Sequence, residues 1–187
     1  MIGAVAVLVA LLALVAVRGL DRPGTTTVVG AAAPSGGTLT AGPVAGRPDL
    51  RVGAPAPAFE VATLAGGTFQ LPAGKPTILT FVNLCPSCID ATRALGALRA
   101  RFSNVAALAV ATDPTADAAT LQAFMSQAGN PDFALALDPQ SSLTRRFDAF
   151  SLGGGVVVAD AAGRITYRGP VSVAAIQAAL VSAGAQR

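Results

Sequence analysis

Apolar and polar positions along the chain fall into three regimes. Residues 1–17 are almost wholly Ala, Val, Leu, Ile and Gly and carry no charge, residues 21–51 show no hydrophobic period, and from Gly53 onward short periodic segments alternate. Residues 60–64 and 68–71 flank a Gly66-Gly67 turn and predict a β-hairpin. Residues 77–82 form an apolar, β-prone run, followed by helical spacing over 89–102, a strand over 105–111 and a helix over about 115–128 opened by Asp113-Pro114. A short strand at 133–137 and a short helix at 140–147 come next. Residues 156–159 and 164–167 flank the turn Asp160-Ala-Ala-Gly163, and 171–183 have the spacing of a closing helix. Strands alternating with helices and ending in a hairpin plus helix predict an α/β sandwich, a central mixed sheet covered on both faces.

At 187 residues there is room for one domain of ordinary size plus an appendage. The domain is expected over 51–187. Counted to Leu20, with Arg18 inside, the leader 1–20 is near the ~20 residues that span a bilayer, and is expected to be a membrane anchor. A cleaved secretory signal is the rival, with Ala31 to Ala33 as a processing site. Arg18 and Arg22 follow the uncharged run 1–17 rather than precede it, so charge leaves the orientation open. Residues 21–50, rich in Gly, Ala, Thr and Pro, read as a flexible linker with a span of roughly 30 Å.

A net charge of +3 spread over the chain makes no basic patch, and nucleic-acid binding gets no support. The chemistry concentrates elsewhere. Cys85 and Cys88, the only cysteines, are spaced C-x-x-C as Cys85-Pro86-Ser87-Cys88, at the junction of the 77–82 strand and the helix that follows. With Cys85 at the helix cap, unpaired N–H groups and the positive end of the helix dipole favour its thiolate, making it the nucleophile. Pro86 suits the first helical position, and Cys88 lies close enough to close a disulfide. Pro86 and Ser87 are expected to tune the redox potential. A purely structural bridge across so few residues would restrict the unfolded chain little.

From about Arg51 the chain resembles the thioredoxin fold, specifically the membrane-anchored thiol-disulfide reductases of the TlpA and ResA type within the redoxin group. The resemblance is carried by Gly53-x-Pro55-x-Pro57-x-Phe59, by Cys85-Pro-Ser-Cys88 after an apolar strand, by Val156-Val-Val-Ala-Asp160-Ala-Ala-Gly163-Arg-Ile165 and by the terminal helix. It implies a three-layer sandwich preceded by a β-hairpin and an extracytoplasmic domain on the membrane. It also implies exchange with protein thiols and disulfides, as a reductase fed by a membrane electron donor, with no cofactor. Relatives place a cis-proline beside the disulfide; here Gly154, in Ser151-Leu-Gly-Gly-Gly155, stands about there and is a candidate substrate-facing position. Leu84 replaces a common tryptophan. For the buried polar residue beneath the disulfide the candidates are Leu79 or Thr80 by position, Asn83 and Glu60.

Other chemistries fit less well. Sco-like copper chaperones share the fold, and residues 110–114 resemble theirs, but they space their cysteines by three residues and add a histidine, and this chain has no histidine. Structural zinc lacks its four ligands and is not expected. A peroxiredoxin-like peroxidase needs Thr or Ser where Val82 stands and Pro where Ile78 stands. Hydrolase chemistry lacks the histidine base. Arg145-Arg146 read as the polar side of a short helix, Tyr167 as a strand-edge residue, and Phe59, Phe69, Phe81 and Phe133 as core.

Overall fold

The structure, a computed structural model, describes residues 48–187. The expected anchor at 1–20 and most of the linker lie outside the described residues.

Two antiparallel strands, β1 (Phe59–Ala62) and β2 (Thr68–Leu71), make the hairpin. Leu64, expected inside the first strand, sits in the turn, where its N–H bonds Leu135 O instead of a hairpin partner. Five further strands form the central sheet: β3 (Thr77–Val82), β4 (Ala106–Ala111), β5 (Ala134–Leu137), β6 (Val156–Ala159) and β7 (Ile165–Gly169), ordered β5-β4-β3-β6-β7. β3, β4 and β5 run parallel, while β6 is antiparallel to β3 and β7 to β6. The mixed sheet is therefore as predicted. β3 and β4 are buried along their whole length, which is why their sequence is a continuous apolar run rather than an alternation.

The helices are α1 (Ile89–Arg99), α2 (Ala118–Gln127), α3 (Ser142–Arg146) and α4 (Val173–Ser182). Leu95 and Leu98 of α1, Leu121 and Phe124 of α2, and Ile176 and Leu180 of α4 pack with Ile78, Val82 and Val156 into one core cluster. The other cluster joins Phe59, Val61 and Leu71 of the hairpin to Leu143 and Phe147 around Leu79, Phe81, Leu108 and Val157. The sheet is thus covered on both faces, one by three helices and the other by the hairpin and short α3. Phe147 meets Phe59 edge-on at 5.8 Å and Phe81 at 5.7 Å, which locks this second layer.

One helix start departs from expectation. Asp113 does not cap α2; its carboxylate accepts the N–H and hydroxyl of Thr115 in a local turn, and the helix begins a turn later. Asp117 is the cap, accepting Thr120 N–H at 2.7 Å. The Gly53-x-Pro55 entry pairs with the β6–β7 turn: Gly53 N–H bonds Ile165 O and Ala56 N–H bonds Gly163 O. Asp160 closes that turn by accepting the N–H groups of Ala162 and Arg164.

Candidate functional site: the cysteine pair and the loop beside it

Parallel strands β3 and β4 end side by side at Val82 and Ala111, and the chain leaves β3 directly into Asn83, Leu84 and Cys85. Ligand sites in open α/β sheets form at this carboxyl edge. Cys85 and Cys88 are joined, Sγ to Sγ, at 2.06 Å, so the structure holds the oxidised pair. Both cysteines are half-buried.

Cys85 caps a short 3-10 turn, Pro86–Cys88, with Pro86 at its start as expected. The α-helix proper begins one turn later at Ile89, with Cys88 at its N-cap. The expectation that Cys85 caps the main helix is corrected to that extent: Cys88 N–H is already bonded to Cys85 O, and the 3-10 turn separates Cys85 from α1. The two sulfurs have different surroundings. Cys88 packs against the larger core cluster together with Leu84 and Ile89. Ser87, exposed, places its Oγ 3.4 Å from Cys85 Sγ. A sulfur in a disulfide has no hydrogen, so the serine hydroxyl is the donor.

The loop before β6 lies against the same edge. Phe81 N–H bonds Gly155 O, and Asn83 Nδ2 donates to Gly153 O at 2.8 Å. Gly154 has φ of +78°, and a Cβ there would come within 2.9 Å of Asn83 Nδ2 and 3.0 Å of Phe81 O. Glycine is required both by the left-handed backbone and by this close approach. The one cis peptide among the described residues is Leu71–Pro72, at the end of β2. From the far side Arg168 donates to Phe147 O and Asp148 O and contacts Ser151 Oγ, tying the turn that leads into the loop to β7.

Of the candidates for a buried polar residue near the pair, Leu79 and Thr80 lie within buried β3, and Glu60 is exposed on the hairpin, away from a buried role. Asn83 is the one next to the cysteine segment, its backbone carbonyl accepting Cys85 N–H at 2.8 Å and its side chain bonded to the loop before β6. Thr112, which sequence reading missed, donates to Asn83 Oδ1 at 2.5 Å. Its signal was a hydroxyl residue following the all-apolar 105–111 strand at the sheet's carboxyl edge. Arg145 is exposed on α3, Tyr167 donates to Pro170 O from the edge strand, and Phe59, Phe81 and Phe133 are core. Among the described residues no cluster of three or more His, Cys, Asp or Glu is placed to hold a metal.

Residues 52–168 match the AhpC/TSA family, and the chain belongs to it. Its fold is the thioredoxin-like fold. A protein of Streptomyces lividans described as mercury resistance operon ORF3 is 31% identical over 138 residues, 71% of this chain and 72% of that protein. The fold is shared with a secreted disulfide oxidoreductase of Mycobacterium tuberculosis homologous to E. coli DsbE, at TM-score 0.55 and 24% identity over 66% of this chain and 95% of that one. StoA of Bacillus subtilis superposes at TM-score 0.54, with 19% identity over 68% of this chain and 98% of its own.

Proposed function

We propose that the protein is a thiol-disulfide oxidoreductase that exchanges disulfides with exported proteins through Cys85 and Cys88, as a reductase of the TlpA and ResA type. The observation that carries this is a bonded C-x-x-C pair at the carboxyl edge of the parallel strands, one sulfur beside a hydroxyl donor and the other against the core. In the reduced protein the Cys85 thiolate attacks one sulfur of a partner disulfide; the partner's S–S bond breaks and a partner thiolate leaves. Cys88, deprotonated, then attacks Cys85 Sγ, restoring the bond seen here and releasing the second partner thiolate. The partner gains two electrons and the protein loses them. A membrane thiol donor reduces the pair again, with no cofactor required.

Ser87 supports Cys85 as the nucleophile, because a hydroxyl aimed at that sulfur stabilises the thiolate more than the thiol. Pro86 shapes the turn that holds Ser87 in place. Phe150, 60% exposed on the turn that leads into the 153–155 loop, gives a polypeptide partner an apolar contact, and Gly154 follows it as the substrate-facing position. The uncharged leader, residues 1–17, supports an anchored protein with its redox domain outside the cytoplasm, on a linker over 21–50. Peroxidase chemistry is less well supported: Val82 and Ile78, where a peroxidatic site needs a hydroxyl and a proline, are buried apolar residues of β3.

The test uses two variants with insulin as the disulfide substrate. Cys85→Ser should abolish reduction, and Cys88→Ser should accumulate a covalent adduct between Cys85 and insulin that dithiothreitol releases. Full reductase activity in the double variant would overturn the assignment.

A further inference from the structure

Asn83 makes contacts in three directions. Its backbone carbonyl accepts Cys85 N–H, its Nδ2 donates to Gly153 O at 2.8 Å, and its Oδ1 accepts from Thr112 Oγ1 at 2.5 Å. The orientation of the carboxamide is forced. Gly153 O can only accept, so the NH2 group must face it, and Oδ1 is left facing Thr112. The Thr112 hydroxyl has one hydrogen and two acceptors in range, Asn83 Oδ1 and Val82 O at 3.2 Å. The shorter contact takes it. A chain of two directed hydrogen bonds thus runs from the end of β4, through the residue two before Cys85, to the loop before β6.

That loop has no proline to stiffen it. Gly153 and Gly154 both have positive φ, at +63° and +78°, which glycine adopts without steric cost; their N–H groups bond Phe150 O and Ala149 O and Gly155 O accepts Phe81 N–H, which leaves Gly153 O to the Asn83 amide. The Asn83 amide fills the space a side chain at 154 would occupy. We infer that Asn83 is a positioning residue for the proposed exchange reaction: oriented by Thr112, its carboxamide fixes the 153–155 backbone beside the cysteine pair so that a polypeptide disulfide docks there in register with Cys85. The inference rests on the exchange activity proposed above and specifies how the site selects a polypeptide over a small disulfide. A polypeptide joined to Cys85 carries backbone on both sides of its sulfur that a fixed loop can align; a small disulfide carries none.

The discriminating quantity is a ratio. Rate constants for the reduced full chain are measured with a disulfide-bridged decapeptide and with hydroxyethyl disulfide, a small neutral probe. Any change in Cys85 nucleophilicity affects both rates and cancels, whereas loss of docking lowers only the peptide rate. Asn83→Ala removes both side-chain bonds. Asn83→Asp keeps the shape and the Thr112 bond but sets an oxygen against Gly153 O. Both should lower the peptide-to-small-disulfide ratio about tenfold, the size of one hydrogen bond. The loss should appear in KM for the peptide rather than in kcat. Thr112→Ser, which retains the hydroxyl, should keep the wild-type ratio, and Thr112→Val should fall between. If Asn83→Ala does not fold, Asn83→Asp and the Thr112 pair make the same comparison. A ratio within twofold of wild type in the Asn83 variants overturns the inference alone. A wild-type protein that reacts with neither disulfide overturns the exchange activity, and the inference with it.

Discussion

Ser87 Oγ lies 3.4 Å from Cys85 Sγ, with the serine as donor. The same hydroxyl that contacts a neutral sulfur in the oxidised pair meets a charged one once the bond is opened, and hydrogen bonds to charged acceptors are the stronger kind. Ser87→Ala should therefore destabilise the reduced thiolate form and shift the potential of the couple to a more negative value. Solvent at this exposed position replaces part of the contact, so the expected shift is on the order of 10–30 mV. Equilibration with glutathione buffers measures it, and the pH dependence of Cys85 alkylation should move upward in parallel. A shift to a less negative potential would show that the hydroxyl does not serve the thiolate.

Gly154 should not accept even one methyl group. Alanine there would adopt a disfavoured φ and press on the Asn83 amide and on Phe81 O. Gly154→Ala should lower unfolding free energy by roughly 1–3 kcal/mol, the usual cost of such a backbone outlier. Urea denaturation of the oxidised protein reads this directly.

Gly96 makes a sharper test, because two effects oppose each other. Alanine is favoured over glycine inside a helix by about 1 kcal/mol. Within α1, however, a Cβ at 96 would lie 2.4 Å from Pro131 Cβ, on a ring that cannot swing away. Overpacking of this kind costs roughly 1–3 kcal/mol, so Gly96→Ala should be net destabilising despite the better helix propensity. A stabilised variant would mean that α1 shifts freely relative to the 131 segment.

Asp117 gives a pH signature. The Thr120 backbone N–H holds its carboxyl below the usual carboxylate range, with the Thr120 side chain adding to the effect. A depressed folded pKa means the capping contribution is complete above the unfolded value of about 3.9 and is lost as pH falls through the folded value. Asp117→Ala should thus lower the thermal midpoint at pH 7, and the gap from wild type should narrow below about pH 4. A gap constant down to acid pH would assign the effect to helix propensity rather than to the charged cap.

Where pattern and physics coincide locally, the sequence was readable. Residues 77–82 are predicted and found as a strand, because a strand buried on both faces leaves an unbroken apolar run. The Asp160-Ala-Ala-Gly163 turn was equally plain, since Asp and Gly each have a local reason to be there. Asp113-Pro114 misleads because Asp113 satisfies Thr115 in a turn of its own, while Asp117, four residues on, accepts Thr120 N–H and caps the helix. The cysteine pair was legible from its spacing. Its surroundings were not: Asn83 meets Thr112 and Gly153 through hydrogen bonds 29 and 70 residues apart, which no periodicity encodes.

If Cys85 and Cys88 interconvert reversibly between dithiol and disulfide in the folded protein, titration in redox buffers shows it. Folded protein is equilibrated across graded ratios of reduced to oxidised dithiothreitol or glutathione, quenched with an alkylating agent and weighed by mass spectrometry. A single two-electron transition is predicted, traced identically from the oxidised and the reduced side, with Cys85 and Cys88 gaining label together. A bond that opens only after denaturation, or that does not re-form in the folded chain, would make the pair structural instead of redox-active.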